Sequence, residues 1–410
     1  MKDAVMKVLL SLFVSAALIP VSSAASRAGQ VSFGPPFSIN NPDKKVSSPA
    51  AVIDDAGKIY AGWMREDGEK INIHVVSSND GGKTFFAPVK VNGGLDNPTG
   101  LHASPSMALG PKGELYVAWT AARSGAEFAA EIRLARSTDG GATFAPSVRV
   151  NQETPPSSRG FESMAVGPDG AVYIVWLDGR ENRHSVSSTY FARSVDGGKT
   201  FLKDRRIDTD SCPCCRTAVT VSPQGHIYAA WRKVFKGDIR EIVVSRSTDG
   251  GADFTAPAVV GNDGWEIAGC PHRGPALAAS GGSLLHVAWY TEGKETSPSV
   301  YTARSGDGGL SFSKTPLPWA RGSFPDHPVM TLKNGAQITA WEETTPVLSK
   351  VVFMAEGDER PEQLNQGVRR AHDPVLSVNG RGDLLAGWVQ EEIRASRFVF
   401  RLGHTVSEKR

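Results

Sequence analysis

Short runs of alternating apolar and polar residues recur along the chain, and each run ends in a tryptophan. The runs are 57-GKIYAGW-63, 113-GELYVAW-119, 170-GAVYIVW-176, 225-GHIYAAW-231, 283-SLLHVAW-289, 335-GAQITAW-341 and 382-GDLLAGW-388, and their tryptophans lie 47 to 58 residues apart. Alternation with a period of two is typical of a half-buried strand, and a repeat of this length is typical of propellers and solenoids. The pattern therefore predicts an all-β repeat protein.

The second unit shows how one repeat is organised. Residues 104–111, 114–119, 131–137 and 144–150 each predict a strand, and polar or glycine-rich turns separate them. Four antiparallel strands of this kind make one blade of a β-propeller. Seven tryptophan runs favour seven blades, and six is the alternative if one run belongs to a partial blade.

A second motif falls between the third and fourth strands of a unit. It reads 77-SSNDGGKTF-85, 135-ARSTDGGATF-144, 192-ARSVDGGKTF-201, 245-SRSTDGGADF-254 and 303-ARSGDGGLSF-312. Paired glycines permit positive φ, and an aspartate side chain can accept hydrogen bonds from the backbone of its own turn. We therefore expect a turn-fixing role, rather than a catalytic one, for Asp80, Asp139, Asp196, Asp249 and Asp307.

These Asp-box turns resemble the bacterial neuraminidase repeats of the sialidase superfamily, and the resemblance extends over nearly all of the chain that follows the N-terminal segment. The resemblance implies a β-propeller of four-stranded blades. The superfamily includes sialidases, other glycosidases and proteins without a known enzymatic role, so the fold alone does not define an activity. If the chain is an enzyme, the resemblance implies a glycosidase of the exo-sialidase type.

The last predicted blade has three strands, the third lying in 393-IRASRFVFRL-402. Its fourth strand is found at the other end of the sequence, because 33-FGPPFSINN-41 matches the fourth strands in 86-FAPVKVNG-93 and 144-FAPSVRVNQ-152. We therefore expect the N-terminal segment to complete the last blade of a single propeller domain over residues 25–410. Closing the ring in this way removes exposed sheet edges.

Charge and hydropathy limit the partners of the chain. Lysine and arginine number 45 against 43 aspartates and glutamates, which leaves no strong field to attract nucleic acid or an anionic membrane. Residues 1–24 carry Lys2 and Lys7, an apolar run from Val8 to Val21 and small residues, a pattern typical of a signal peptide. No later segment is long enough to cross a bilayer. We expect a monomeric periplasmic or secreted protein that is not an integral membrane protein.

The loops before the first strand and after the second strand of each blade are expected to meet at one mouth, where ligands bind. His102, Cys214 and His272 each precede the tryptophan of their unit by seventeen residues. Paired guanidinium groups suit a carboxylate. The candidate ligand-binding residues are Arg216, Arg273, His102, His327, His372 and Asp373, and the candidate acids or bases are Glu162 and Asp178.

The sialidase resemblance also implies a catalytic set against which these loops can be compared. The family uses an Arg-Ile-Pro near its first blade, two further arginines, a tyrosine with a glutamate partner, and an aspartic acid. Here the first-blade position reads 47-SSPAAV-52, and His372 and Asp373 stand where the late tyrosine is expected. The full set is therefore not present. The leading hypothesis is a propeller that binds a glycan or another anionic ligand, and a non-enzymatic interaction scaffold is an alternative.

The cysteines supply a further hypothesis. Cys212, Cys214 and Cys215 form one group, and Cys270 lies in the next unit. Because an exported protein meets an oxidising compartment, we expect disulfides, one of them involving Cys270. The alternative is a copper or zinc site in which these thiolates act together with His272, in a metal-binding or redox-linked protein. The sequence indicates no other cofactor.

Overall fold

The structure is a computed structural model that describes residues 31–39, 46–68, 70–94, 96–99, 104–123, 129–152, 156–181, 186–294, 296–365, 367, 370–393 and 395–405. The predicted signal peptide, residues 1–24, and the candidate ligand residue His102 lie outside these ranges. Within them, no helical segment has the length and hydropathy needed to span a membrane.

The described chain is built of short antiparallel strands, without an α-helix. Two strands, β1 (Val31–Phe33) and β2 (Phe37–Ser38), come first. Successive sets of four then follow, and the first two sets are β3 (Ser47–Ile53), β4 (Ile59–Asp67), β5 (Lys70–Ser78), β6 (Val89–Lys90) and β7 (Ser106–Leu109), β8 (Leu115–Ala122), β9 (Ala130–Ser137), β10 (Val148–Arg149). The predicted strands of the second unit are thus present, with a shorter fourth strand.

The third and fourth sets are joined into one eight-stranded sheet. They are β11 (Arg159–Val166), β12 (Val172–Asp178), β13 (Ser187–Ser194), β14 (Arg205–Ser211) and β15 (Ala218–Val221), β16 (Ile227–Phe235), β17 (Ile239–Ser247), β18 (Ala258–Val259). Ser211 at the end of β14 pairs with Lys233 in β16, and this pair connects the two sets.

The remaining sets extend to the C-terminal part of the chain. They are β19 (Ala276–Ala279), β20 (Leu285–Thr291), β21 (Ser299–Ser305), β22 (Ser313–Pro316), then β23 (Phe324–Lys333), β24 (Ala336–Thr344), β25 (Ser349–Ala355), β26 (Glu362–Gln363), and finally β27 (Ala371–Val378), β28 (Leu384–Glu391), β29 (Ser396–Thr405). The last sheet gains its fourth strand from the N-terminal segment, because β1 and β2 both pair with β29. This pairing is the one expected from the sequence.

The first strands of the sets contact one another in a cyclic order. Each contacts the first strand of the next set, from β3 through β7, β11, β15, β19, β23 and β27, and β27 contacts β3. The architecture is therefore a β-propeller of four-stranded antiparallel blades. The order agrees with seven blades around an axis. The exact blade count and the closure of the ring remain predictions.

The repeated tryptophans lie between neighbouring sheets. Trp119 on β8, for example, is fully buried and packs in a cluster with Met64, Ile73 and Val75 of the preceding set. Successive side chains of a strand point to opposite faces, so each second strand contributes to the core on both sides. The same arrangement repeats where Trp176 packs with residues of β8 and β9. The apolar alternation in the sequence thus corresponds to contacts between blades.

The Asp-box turns lie at the opposite edge of the sheets from the starts of the first strands. Ser78, where the first such turn begins, pairs with Ile59 at the start of β4, whereas Ser47 at the start of β3 pairs with Met64 farther along β4. Ligand-binding candidates at the starts of the first strands are therefore separated from the turns by the length of a strand. We call the edge that carries the strand starts the mouth edge.

The hydrogen bonds expected of the Asp-box aspartates are present. In the first turn, Ser78 Oγ donates to Asp80 Oδ1 over 2.8 Å, and Thr84 donates from its backbone N and its Oγ1 over 3.0 and 2.6 Å. Equivalent bonds from the serine two residues earlier and from the backbone N four residues later are made by Asp139, Asp196, Asp249 and Asp307. These carboxylates are thus used within their turns.

Candidate functional site

The first strands of several sheets begin with the same backbone distortion at the mouth edge. Ser48, Phe161, His327 and Asp373 all have positive φ, between 46° and 59°. Each lies inside a register shift of its strand, as between Asp326 and Val329 or between His372 and Val375. A bulge re-aims the side chains next to it, and a non-glycine residue in this region stores about 1–3 kcal/mol of strain. The sequence therefore forms a set of strained strand starts around the mouth.

Arg216 connects three neighbouring units through backbone oxygens. Its Nη1 donates to the carbonyl oxygen of Glu162 over 3.0 Å, and its Nη2 donates to that of Ser104 over 2.9 Å. A Cβ added at Gly274 would overlap the carbonyl oxygen of Arg216, so the backbone next to Arg273 lies directly against Arg216. The two arginines predicted as a clamp thus lie on adjacent strand starts, but the guanidinium of Arg216 is committed to the backbone.

Glu162 is a buried carboxyl with only part of its bonding capacity used. Its residue surface is 0% exposed, and Thr120 Oγ1 donates to its Oε2 over 2.6 Å. Its Oε1 has no hydrogen-bond partner within the described part of the chain. Burial raises the pKa of Glu162, and the charge of Arg216 opposes that rise. The group is enclosed, so it does not face a ligand at the surface.

Asp178, the second candidate acid or base, is saturated by structural bonds. Its Oδ2 accepts from Arg159 Nε over 2.9 Å, from Trp176 Nε1 over 3.0 Å and from Arg180 Nη2 over 2.6 Å. Burial raises the pKa of this carboxyl, but its bonds to Arg180 and the charge of Arg159 outweigh burial and lower it. With its side chain fully buried, Asp178 fixes the end of its strand to the following loop.

Asp326 holds two cationic groups at the mouth edge. Its Oδ2 accepts from Arg273 Nε over 2.7 Å and lies 3.8 Å from His327 Nδ1, while its Oδ1 accepts from the backbone N of His327 over 2.8 Å. Arg273 also stacks over the Tyr290 ring, 4.2 Å from its centroid, and lies 3.5 Å from Glu292. The carboxylate thereby fixes an arginine of one sheet beside a histidine of the next.

A second charged group lies beside the first. Glu342 Oε1 lies 3.6 Å from His327 Nδ1 and accepts from the backbone N of Asp373 over 2.7 Å. His372 then bridges two carboxylates, with Nδ1 3.0 Å from Asp373 Oδ2 and Nε2 2.9 Å from Glu391 Oε1. The structure thus brings together His327, His372 and Asp373, which the sequence had placed at equivalent strand starts.

The carboxylates keep both histidines charged at neutral pH. Burial lowers the pKa of His327, but Glu342, 3.6 Å from its Nδ1, and the charge of Asp326 outweigh burial and raise the pKa to about 9. Burial likewise lowers the pKa of His372, and the bond to Asp373 outweighs it, so that this pKa also rises to about 9. Burial raises the pKa of Asp373, and its bond to His372 lowers it below its usual value. Both imidazoles are therefore hydrogen-bond donors.

The four cysteines gather in one place with a histidine. Cys212 Sγ lies 3.6 Å from Cys214 Sγ and 3.4 Å from Cys215 Sγ, and all three residues are buried. The ligand atoms of Cys214, Cys270 and His272 all lie within 4.8 Å of one another. All four cysteines are free thiols in this structure, so the disulfide expected at Cys270 is not formed in it.

Several site residues were not found by the sequence analysis. Asp326 directly precedes His327, and Tyr290 and Glu342 each directly follow a repeated tryptophan. Thr120 and Arg232 occupy the same position after a tryptophan, and each bonds to the next unit. Thr120 donates to the Glu162 carboxylate, and Arg232 donates to the carbonyl oxygen of Arg273. The position after the tryptophan was therefore a signal that could have identified these residues.

Comparison with solved structures identifies the fold of the chain. No family model matches the sequence, and no curated protein matches it. Solved structures do match. A Hadza microbial sialidase is 14% identical over 86% of this chain and 74% of that chain, with a TM-score of 0.50. A polysaccharide lyase, described as an ulvan lyase bound to -[GlcA(1-4)Rha3S]-, is 11% identical over 78% of this chain and 80% of that chain, with a TM-score of 0.54. An α-L-arabinanase from Penicillium chrysogenum is 13% identical over 90% and 98%, with a TM-score of 0.51. The chain therefore has the fold of the sialidase-like β-propellers, as its Asp-box turns indicated.

Proposed function

We propose that this chain binds a carbohydrate with an acidic substituent at the mouth edge, and that Arg273 and His327 contact the acidic group. The observation that carries this proposal is Asp326, whose carboxylate accepts from Arg273 Nε and from the backbone N of His327, so that the two residues lie side by side. The Arg273 guanidinium then has a fixed orientation before a ligand arrives, which lowers the entropy lost on binding.

Both cations retain hydrogen-bond donors for a ligand. His327 Nε2 and Arg273 Nη2 have no hydrogen-bond partner among the described residues, and the side chains are 49% and 27% exposed. His327 is protonated at neutral pH because its pKa is raised to about 9 by Glu342 and Asp326 against the effect of burial. A charged arginine and a charged imidazole suit a carboxylate or a sulfate group.

The carboxylates of the same cluster suit the remainder of a sugar. Asp373 and Glu391 are both 44% exposed and face His372 from two sides. Carboxylate oxygens accept hydrogen bonds from hydroxyl groups, which a carbohydrate carries in large number. The comparisons support this ligand class, because the matching structures are named as a sialidase, an arabinanase and a lyase bound to a glycan containing GlcA.

The geometry favours binding over cleavage by the two acids predicted from the sequence. Glu162 and Asp178 are 0% and 1% exposed, and Asp178 is bonded to Arg159, Trp176 and Arg180. A general acid or base must come within hydrogen-bond distance of the atom that it protonates or deprotonates. We therefore do not propose an exo-sialidase activity based on Glu162 and Asp178. We also do not propose a non-enzymatic scaffold that binds no ligand.

Export is part of the same proposal. Residues 1–24 have the charge and hydropathy pattern of a signal peptide, which would bring the mature chain to the periplasm or the medium, where acidic glycans are encountered. N-terminal sequencing of the protein recovered from each fraction tests this step. A mature N-terminus near Ala25 supports export, and an intact Met1 in the cytoplasmic fraction contradicts it.

Calorimetric binding to paired oligosaccharides tests the ligand. The pair differs only in the acidic group, with a uronate in one and its neutral, reduced sugar in the other. We expect the wild type to prefer the uronate, and His327→Gln and Arg273→Gln each to weaken that binding roughly 10- to 100-fold, since a charge-assisted hydrogen bond contributes about 1.5–3 kcal/mol. His226→Gln and Arg360→Gln, on the Asp-box edge, are the matched controls. Equal affinity of all variants, or no preference for the uronate, rejects the proposal.

A further inference from the structure

The four thiols and His272 form two overlapping triads that share one sulfur. The inner triad is Cys212, Cys214 and Cys215, and the outer triad is Cys214, Cys270 and His272. In the described part of the chain, the four sulfurs do not form a single set within 4.8 Å of one another. We propose that the reduced protein binds two Cu(I) ions, one in each triad, with the Cys214 thiolate bridging them.

The spacing of the inner sulfurs is close to that of metal ligands. A metal–thiolate bond of roughly 2.3 Å places three sulfurs about 4 Å apart around a trigonal ion. The observed separations of 3.4 and 3.6 Å from Cys212 to its neighbours need only a small expansion. A disulfide needs a separation of about 2.05 Å with a defined dihedral angle. The ligand arrangement is therefore nearer to the observed one.

The number and type of donors select the ion. Thiolates are soft ligands, which favour Cu(I) and Zn(II) among the ions available in cells. Zn(II) requires four ligands in a tetrahedron at a structural site, and each triad here supplies three. Cu(I) is stable with three ligands, and thiolate donors favour it. Two three-coordinate sites thus suit copper better than one shared zinc.

A buried arginine contributes positive charge at the inner triad. Arg240 is 8% exposed, and its Nη1 donates to Cys212 Sγ over 2.8 Å. Copper binds cysteine as the thiolate, which is negatively charged. An adjacent guanidinium and a bound monovalent cation both offset that charge, and so lower the cost of holding it away from water.

The surroundings distinguish an enclosed ion from an accessible one. Phe161 and Val234 pack against the three inner cysteines, whereas Cys270 and His272 are exposed. His272 has a positive φ of 56°, a strained conformation that fixes the direction of its side chain. The outer triad is therefore the one that a copper ion can reach directly from solvent.

An anaerobic titration of the reduced, metal-free full chain tests the stoichiometry. The probe is Cu(I) in competition with a coloured Cu(I) chelator, and Ag(I) serves as an ion that cannot be oxidised. We expect two equivalents for the wild type, one for His272→Ala, and none for Cys214→Ser. His226→Ala is the matched control and retains two. Because His272 is exposed, its variant is expected to fold even if a substitution at the buried cysteines does not.

Other outcomes overturn the proposal. They are one equivalent of Cu(I) in the wild type, unchanged stoichiometry in His272→Ala, or a Cys214→Ser variant that folds and retains copper. Preferential binding of one tetrahedral Zn(II) by four thiolates also overturns it. Protein isolated from its own compartment without copper, and with no thiol that reacts on denaturation until it is reduced, assigns the cysteines to disulfides instead. Thiolate-to-copper charge-transfer absorption confirms the ligand type in each positive case.

Discussion

Arg273, next to the start of one sheet, donates its Nε–H to Asp326 at the start of the following sheet over 2.7 Å. The bond therefore joins two units of the repeat at the edge where their first strands begin. Because Asp326 also accepts from the backbone N of His327, its carboxylate brings the two proposed ligand-binding residues together.

Substitution of this carboxylate affects stability and binding together. Asp326→Asn should lower the free energy of unfolding by about 1–3 kcal/mol, because a partly buried arginine loses a charged acceptor. It should also weaken uronate binding, since Arg273 and His327 lose their common anchor. Urea unfolding and calorimetry measure the two effects. The matched control is Glu266→Gln, because its bond to Lys294 is exposed to solvent and its loss should change stability little. Equal effects from both variants would contradict the role of Asp326.

The raised pKa values of His327 and His372 predict a dependence of stability on pH. Carboxylates raise both pKa values to about 9, above the usual value near 6.5. The stabilisation is therefore fully present below about pH 6.5 and is lost as the pH rises through about 9. Melting temperatures from pH 6 to 10 should fall for the wild type and change less for the double variant His327→Gln, His372→Gln.

The protonation itself can be observed by NMR. The imidazole signals of His327 and His372 should titrate near pH 9. His286 is an internal reference, because burial lowers its pKa below the usual value, with the bond to Gln337 opposing that effect. If all three histidines titrate below pH 7, the carboxylates do not raise the pKa values of His327 and His372, and the prediction is wrong.

The Asp-box aspartates should contribute to stability and not to binding. Asp196→Ala removes the acceptor for Ser194 Oγ and for the backbone N of Thr200, and we expect a loss of about 1–2 kcal/mol. Asp253→Ala, which removes an exposed pair with Arg205, should cost less. Chemical denaturation and glycan titration are the measurements. A variant of normal stability that loses binding would place function in the turns.

The N-terminal strand should be required for the last sheet. Deleting residues 31–38 removes β1 and β2, exposes the edge of β29, and removes the edge contact between Phe33 and Phe353, whose centroids are 5.1 Å apart. We expect aggregation or a clearly lower melting temperature, because an unpaired edge can recruit other chains. Ser32→Ala, on an exposed position of β1, is the control. A soluble truncated chain that melts like the wild type refutes this requirement.

The sequence predicted the propeller because its determinants are local and repeated. Each tryptophan marks a strand whose alternate residues pack on a neighbouring sheet, and each Asp-Gly-Gly turn carries its own hydrogen bonds. The origin of the last strand could also be predicted, because the segment that contains Phe37 has the composition of the other fourth strands.

The site was harder to predict because it depends on contacts between units. Nothing in the residues around Asp178 shows that Arg159 and Arg180 will enclose it. Nor do the residues around Asp326 show that Arg273 of the preceding unit will bond to it. The positive φ of His327 and Asp373 changes the direction of both side chains. This backbone conformation could not be predicted from the residue types, because neither residue is a glycine. The charge pairs between different blades therefore could not be predicted from the sequence.

The pairing of β1 with β29 also has a consequence for the order in which the protein is made. Val31–Phe33 leaves the ribosome several hundred residues before its partner, Ser396–Thr405. The sheet that contains β29 thus stays incomplete until Ser396–Thr405 has been made, and Val31–Phe33 has no strand partner before then. Such long-range pairing slows folding.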